Sequence, residues 1–190
     1  MFGPEEDVWQ LIHKFHSTQR MKMFLWIVCH GRIMTNQERV HRHFALHASR
    51  GICGSPVEDI DHVLCKCPHA ISTWSSLVQA SLLSLFMNSD IKQWVQDNLM
   101  QQLRFVRESQ GWDLIFGATC WYLWFYQNGL VYGTDGVETW SVLAKVRGWC
   151  DAASSGCYCE RLCWLGFVSR CAEQSCSLVS TIRGVVEVEY

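Results

Sequence analysis

The chain has 190 residues, 49% of them hydrophobic, and a formal net charge of −2. That length buries one ordinary core or two small ones, and that hydrophobic content excludes a disordered chain. The balanced total charge excludes no partner, but its distribution is uneven: from Val8 to Arg50 seven Lys or Arg stand against one acid, Glu38, with six of the eight histidines in the same stretch. Such a segment permits contact with nucleic acid, and a solvated helix face is the commoner use of it.

In chain order, the N-terminal "MFGPEEDVW" is acidic and lacks the apolar run of a secretory leader. Together with an odd count of eleven cysteines, this argues for a reducing, intracellular compartment, nuclear or cytoplasmic. "RMKMFLWIVCHGRIMT" places Met23, Trp26, Ile27 and His30 at helical spacing, with Gly31 as the stop. "TNQE" at 35–38 has the form of a capping box, in which Thr35 and Glu38 satisfy each other's backbone N–H groups. It opens a helix carrying Arg39, Arg42 and His43. Residues 48–58 are a loop, and Pro68 suits the first turn of a helix that buries Ile71, Trp74 and Val78.

Further helices are expected through "IKQWVQDNLMQQLRFV", "WDLIFGATCWYLWFYQNGLVY" and "GVETWSVLAKVRGWCDAAS", the last with Trp140, Leu143 and Val146 as its apolar positions. The apolar run 114–126 is too short to span a bilayer, so no membrane partner is expected. Trp26, Trp74, Leu123 and Trp124 are the expected core aromatic and aliphatic residues. Beyond residue 154 the texture shifts to mixed short-strand and ambiguous segments. The expected fold is therefore mainly α, a helical zinc-knuckle-type domain over 5–154 followed by a small irregular α/β remnant over 155–190.

Cys53, His62 and Cys67 are spaced as metal ligands often are, with a Gly-Ser-Pro turn after the first. The order Phe24-Leu25-Trp26, Ile33-Met34-Thr35, Cys53-Gly54, Glu58 with His62, Cys67-Pro68 and Trp74 resembles the zinc-binding domain downstream of the reverse transcriptase in plant LINE-type, non-LTR retrotransposons. The likeness runs over roughly residues 5–150. It implies zinc as cofactor and Cys53, His62, Cys67 and position 50 as ligands.

Position 50 is Arg50, where the resemblance calls for cysteine. A guanidinium stays protonated and has no lone pair to give a cation. His47, Cys65 and His69 are the candidate substitutes for this lost fourth ligand, and the alternative is a site left with three. A second departure is Tyr126-Gln127-Asn128, where the resembled domain commonly carries Arg-Asn after its Trp.

The tail "CWLGFVSRCAEQSCSLVSTIRGVVEVEY" loosely resembles the start of a ribonuclease H domain. That chemistry needs several carboxylates around two divalent metals. Asp151 is the one candidate, and Thr181 stands where a catalytic Glu would be. Catalytic residues are accordingly expected to be none, and the cysteines at 150, 157, 159, 163, 171 and 176 fit no common metal spacing.

Three functions follow. The first is a non-catalytic module binding RNA or DNA without sequence preference, through Lys14, Arg20, Lys22, Arg32, Arg39 and Arg42, with no small-molecule substrate. The second is an inert, truncated retroelement product without zinc; the third, on weaker grounds, is an RNA–DNA hybrid ribonuclease.

Overall fold

The computed structural model describes residues 4–51, 53–100, 111–132 and 139–154. Eight α-helices account for most of them: α1 Pro4–Lys14, α2 Gln19–Cys29, α3 Asn36–His41, α4 Pro68–Leu77, α5 Leu83–Met87, α6 Ile91–Leu99, α7 Trp112–Tyr132 and α8 Thr139–Ser154. A single π-turn, His62–Lys66, precedes α4. Among the described residues there is no sheet, only one antiparallel bridge between Arg50 and Ser55. The mainly α expectation holds. The boundary near 155 and the α/β tail lie outside the described residues.

Local signals set most helix ends. Thr18 and Thr35 cap α2 and α3, each hydroxyl accepting an N–H three residues on, from Met21 and Glu38. The capping box at Thr35 is only half made, because the Glu38 carboxylate turns to Arg42 at 2.6 Å and Arg32 at 3.8 Å. After α2, Gly31 takes φ +63°, and the following Arg32 N–H bonds to the Ile27 carbonyl. Pro68 stands at the first position of α4, where a missing N–H costs nothing. The stretch 112–132 forms α7 at those bounds, and 139–154 forms α8. Of the segment 91–106, α6 covers Ile91–Leu99, and 101–110 falls outside the described residues.

The core is an aromatic cluster around Trp74. Its ring lies 5.0 Å from Phe86, 5.5 Å from Trp94, 5.8 Å from Phe116 and 6.5 Å from Trp112, centroid to centroid. Side chains from α4, α5, α6 and α7 thus meet at one point. Two of the buried indole N–H groups find acceptors: Trp74 donates to the Leu64 carbonyl at 2.7 Å, and Trp112 to Asn98 Oδ1 at 2.9 Å, while that of Trp94 finds none among the described residues. The first of these bonds ties the π-turn to the core. Helix α7 is apolar on all sides because α1-side, α2, α6, α8 and π-turn residues surround it. At Gly117 a Cβ would stand 2.9 Å from the Phe15 ring, so the backbone there is in close approach to the end of α1.

Three burial expectations are corrected. Trp74 and Leu123 are fully buried, but Trp26 and Trp124 are half-buried at the core's rim. Ile71 is 41% exposed, since α4 turns Ala70, Thr73 and Trp74 inward instead, with Val78 buried just beyond its end. In α8, Val142, Val146 and Trp149 are buried and Leu143 half-buried; the Trp140 side chain lies outside the described residues.

Trp74→Ala is expected to cost about 3–5 kcal/mol in urea unfolding, through the cavity it leaves among four rings. Ile71→Ala, on the outer face of the same helix, should cost under about 1 kcal/mol.

Candidate metal centre and basic surface

Three short backbone devices bring Cys53, His62 and Cys67 together. Cys53 sits in a tight turn closed by Arg50 N–H to the Ser55 carbonyl at 2.9 Å and Gly54 N–H to the Arg50 carbonyl at 3.0 Å, with Gly54 at φ +72°. His62 is fixed by its own N–H, which bonds to Asp59 Oδ1 at 2.6 Å. Cys67 caps α4, and its N–H reaches back to the His62 carbonyl at 2.7 Å, closing the π-turn. Five residues of π-turn therefore set the separation between the histidine and the second cysteine.

Cys53 Sγ lies 3.2 Å from His62 Nε2, and all three ligand atoms lie within 4.8 Å of one another. Tetrahedral zinc with bonds of about 2.3 Å to sulfur and 2.0–2.1 Å to nitrogen would set its ligand atoms roughly 3.5–4 Å apart. The cluster fits such an ion in donor type and size. Cys67 is fully buried, while Cys53 and His62 are half-buried, so one side of the group meets solvent. Burial, and secondarily the charge of Arg50, hold the imidazole of His62 below its ordinary value. It is therefore neutral at pH 7, the form that carries a lone pair for a metal.

The candidate substitutes for a fourth ligand do not join the group, which among the described residues contains three members. His47 is exposed on its loop. Cys65 is buried in the core, and burial pushes its thiol far above the ordinary range, so it stays protonated. The ring of His69 packs on Tyr126 at 5.3 Å.

Arg50 does something the sequence did not announce. Its side chain is 1% exposed, and Nη1 donates to Glu58 Oε2 at 3.1 Å, in a buried ion pair. Glu58 in turn accepts from the Asn36 backbone N–H at 3.2 Å and from the Asn36 side chain at 3.4 Å, at the start of α3. Its main chain bonds to Ala48 and Gln37. The residue that cannot ligate zinc thus holds the loop to α3. The Arg50 Nε and Nη2 atoms are buried without a hydrogen-bond partner among the described residues. Glu58 was legible as part of the metal motif; its role as a counter-ion shows only in the structure, where Arg50, eight residues before it, is buried against it.

The seven cations of 8–50 separate in space. Arg50 is interior. Arg32 and Arg42 gather on Glu38, with His41 3.9 Å away, and Arg39 reaches Asn36. The hydrogen bond from Arg42, ahead of the other nearby charges, holds the Glu38 carboxyl below its ordinary value. Lys14 and Arg20 are exposed and Lys22 half-exposed, around the joint between α1 and α2, where Lys22 Nζ donates to the His13 carbonyl at 2.6 Å. No helix among the described residues is long and apolar enough to cross a membrane. Gln127 is buried, its amide 3.5 Å from the Val63 carbonyl. Asp151 lies in the last turn of α8, and Thr181 and the cysteines from 157 onward fall outside the described residues.

Residues 2–74 match the family model described as zinc-binding in reverse transcriptase. Over 122 residues the chain is 31% identical to an Arabidopsis thaliana protein named "Putative ribonuclease H protein". That alignment covers 64% of this chain and 19% of the relative, so the chain spans about a fifth of that protein's length. No solved structure matches. The matched segment ends on Trp74 and contains the whole cluster, and zinc is the metal that this likeness and the Cys–His–Cys group indicate.

Removing one half of the ion pair leaves a buried charge. Glu58→Ala is expected to destabilise the metal-free protein by about 3–5 kcal/mol, whereas the double variant Arg50→Met/Glu58→Leu should recover most of the loss. Denaturant unfolding of the single and double variants in chelator measures both.

Proposed function

We propose that this chain is a non-catalytic, nucleic-acid-binding module of the zinc-knuckle type, derived from the reverse transcriptase of a plant LINE-type retrotransposon. One observation carries the reading: inside a segment matching a reverse-transcriptase zinc-binding family, Cys53, His62 and Cys67 converge to within 4.8 Å. In it, these three residues hold one zinc ion, and the fourth position is left to solvent on the group's exposed side. The metal supplies a cross-link between the 50–55 turn and the head of α4. The surface cations Lys14, Arg20 and Lys22 neutralise phosphates of RNA or DNA, with Arg32, Arg39 and Arg42 as a second, partly self-neutralised group.

The ribonuclease name belongs to the Arabidopsis protein, most of which this chain does not cover. Within the described residues the chain's own chemistry supports scaffolding and charge neutralisation. An inert product remains the reading that a negative result would favour.

Affinity for a labelled single-stranded or duplex oligonucleotide should fall steeply with salt and vary little with sequence, each neutralised phosphate contributing a slope of about −0.7 to −0.9 in log–log form. Binding absent at low salt would favour the inert product. Mg²⁺-dependent cleavage of an RNA–DNA hybrid, lost in Asp151→Asn, would favour the ribonuclease.

Supplying the missing thiolate should raise zinc affinity, since complete structural sites reach about 10 kcal/mol or more of binding free energy. Because Arg50 neutralises Glu58, the informative variant is Arg50→Cys/Glu58→Gln, titrated with Zn²⁺ against a competing chelator. The expected outcome is much tighter binding than wild type; equal affinity would mean that another group already completes the wild-type site.

A further inference from the structure

The face shared by α1 and α2 carries four rings in series. His13 lies 6.3 Å from Trp9, Trp9 lies 5.1 Å from Trp26 nearly edge to face, and Trp26 lies 3.9 Å from His30. His13 and His30 are exposed, Trp9 is 36% exposed, and Trp26 is half-buried behind it. Met23 and Ile27, at 42% and 37% exposure, occupy the same stripe of α2 as Trp26 and His30, at i, i+3, i+4 and i+7. This is a contiguous aromatic and apolar surface outside the packed core, which a folded chain seldom leaves to water without a use.

Charge identifies what covers it. Past Glu5, Glu6 and Asp7 in the first turn of α1, the sequence from Val8 to Gln37 contains no Asp or Glu, while Lys14, Arg20 and Lys22 flank the joint between the two helices at the other end of α1. The acids Glu38, Asp59, Asp61 and Asp90 line a pocket of about 500 Å³ that begins at Gly31, one residue past His30, together with Arg32. An occupant with flat apolar faces and regularly spaced negative charge suits rings beside cations. A single nucleic-acid strand has both; in a duplex the base faces are already stacked on one another.

We propose that the His13–Trp9–Trp26–His30 ladder is a stacking platform for the bases of single-stranded RNA or DNA, with Lys14, Arg20 and Lys22 on the adjoining phosphates. This rests on the nucleic-acid reading above and makes it specific: the preferred partner is a single strand, and the contact lies on α1 and α2, which carry none of the three zinc ligands. Trp9 is the outermost indole and carries the largest share of the stacking.

The test compares a labelled twelve-residue oligothymidylate with a duplex of equal length, by anisotropy, on the full chain. Trp9→Ala is expected to weaken single-strand binding about ten- to hundredfold, leave the salt slope and duplex binding unchanged, and be largely rescued in Trp9→Phe. Lys14→Glu/Arg20→Glu should instead weaken both forms and flatten the salt slope. Because an alanine at Trp9 also loosens the α1–α2 contact, photocross-linking of the wild-type chain to a bromodeoxyuridine strand provides a second readout. Adducts are expected on residues 9–30. If Trp9→Ala binds the single strand as wild type does, or adducts map elsewhere while charge reversal still abolishes binding, the platform is wrong and the charge reading stands. If the wild-type chain binds neither form at low salt, both fall. Binding of the duplex as tightly as the single strand also overturns the platform.

Discussion

The loop that presents Cys53 to the other candidate metal ligands depends on one buried interaction, the 3.1 Å ion pair between Arg50 and Glu58. Two charges taken out of water stabilise a fold only when they are paired and further hydrogen-bonded. Glu58 meets that condition: Asn36 at the head of α3 donates to it twice, and its own backbone is bonded on both sides. Arg50 meets it in part, with two nitrogens unpartnered among the described residues, so its pairing with Glu58 is what makes the burial tolerable. The pair joins residues 50–58 to α3, and the 50–55 turn then carries Cys53 to His62.

The second support comes from the other side of the cluster. The Trp74 indole fixes the Leu64 carbonyl, which places the π-turn, and the π-turn sets His62 and Cys67 at its two ends. The metal ligands are thus held by the aromatic core on one side and by an ion pair on the other. Neither support requires the ion, so a fourth cysteine can be absent while the three remaining ligands still converge. In a small zinc domain whose fold is supplied by its metal, the same replacement would abolish folding.

Where a residue's role depends on its immediate neighbours, the sequence already shows it. Thr35 before an acid, Pro68 at a helix start, Gly31 after a helical run and the spacing of Cys53, His62 and Cys67 each carry a local physical signature, and each stands where that signature predicts. What stayed hidden depends on tertiary partners. Trp26 has the spacing of a core residue, yet it packs at the core's rim, with Trp9 and His30 on its outer side, which leaves it half-buried. Ile71 looks inward on apolarity alone, but one turn of α4 can aim only one stripe at the core, and Trp74 takes it. The first residues stood out in the sequence for their acidic charge alone, although Pro4 followed by Glu5 and Glu6 is also a helix start. Arg50 was legible as a missing ligand and not as a clamp, because its partner lies across a loop with no periodicity to announce the contact.

Native mass spectrometry of the purified chain before and after mild chelation tests the central claim most directly, when paired with circular dichroism of the same samples. The account predicts one zinc per chain, readily removed, with the helical signal retained because Arg50–Glu58 and the Trp74 core persist. No zinc uptake at any added concentration, or loss of helical structure on chelation, would contradict it.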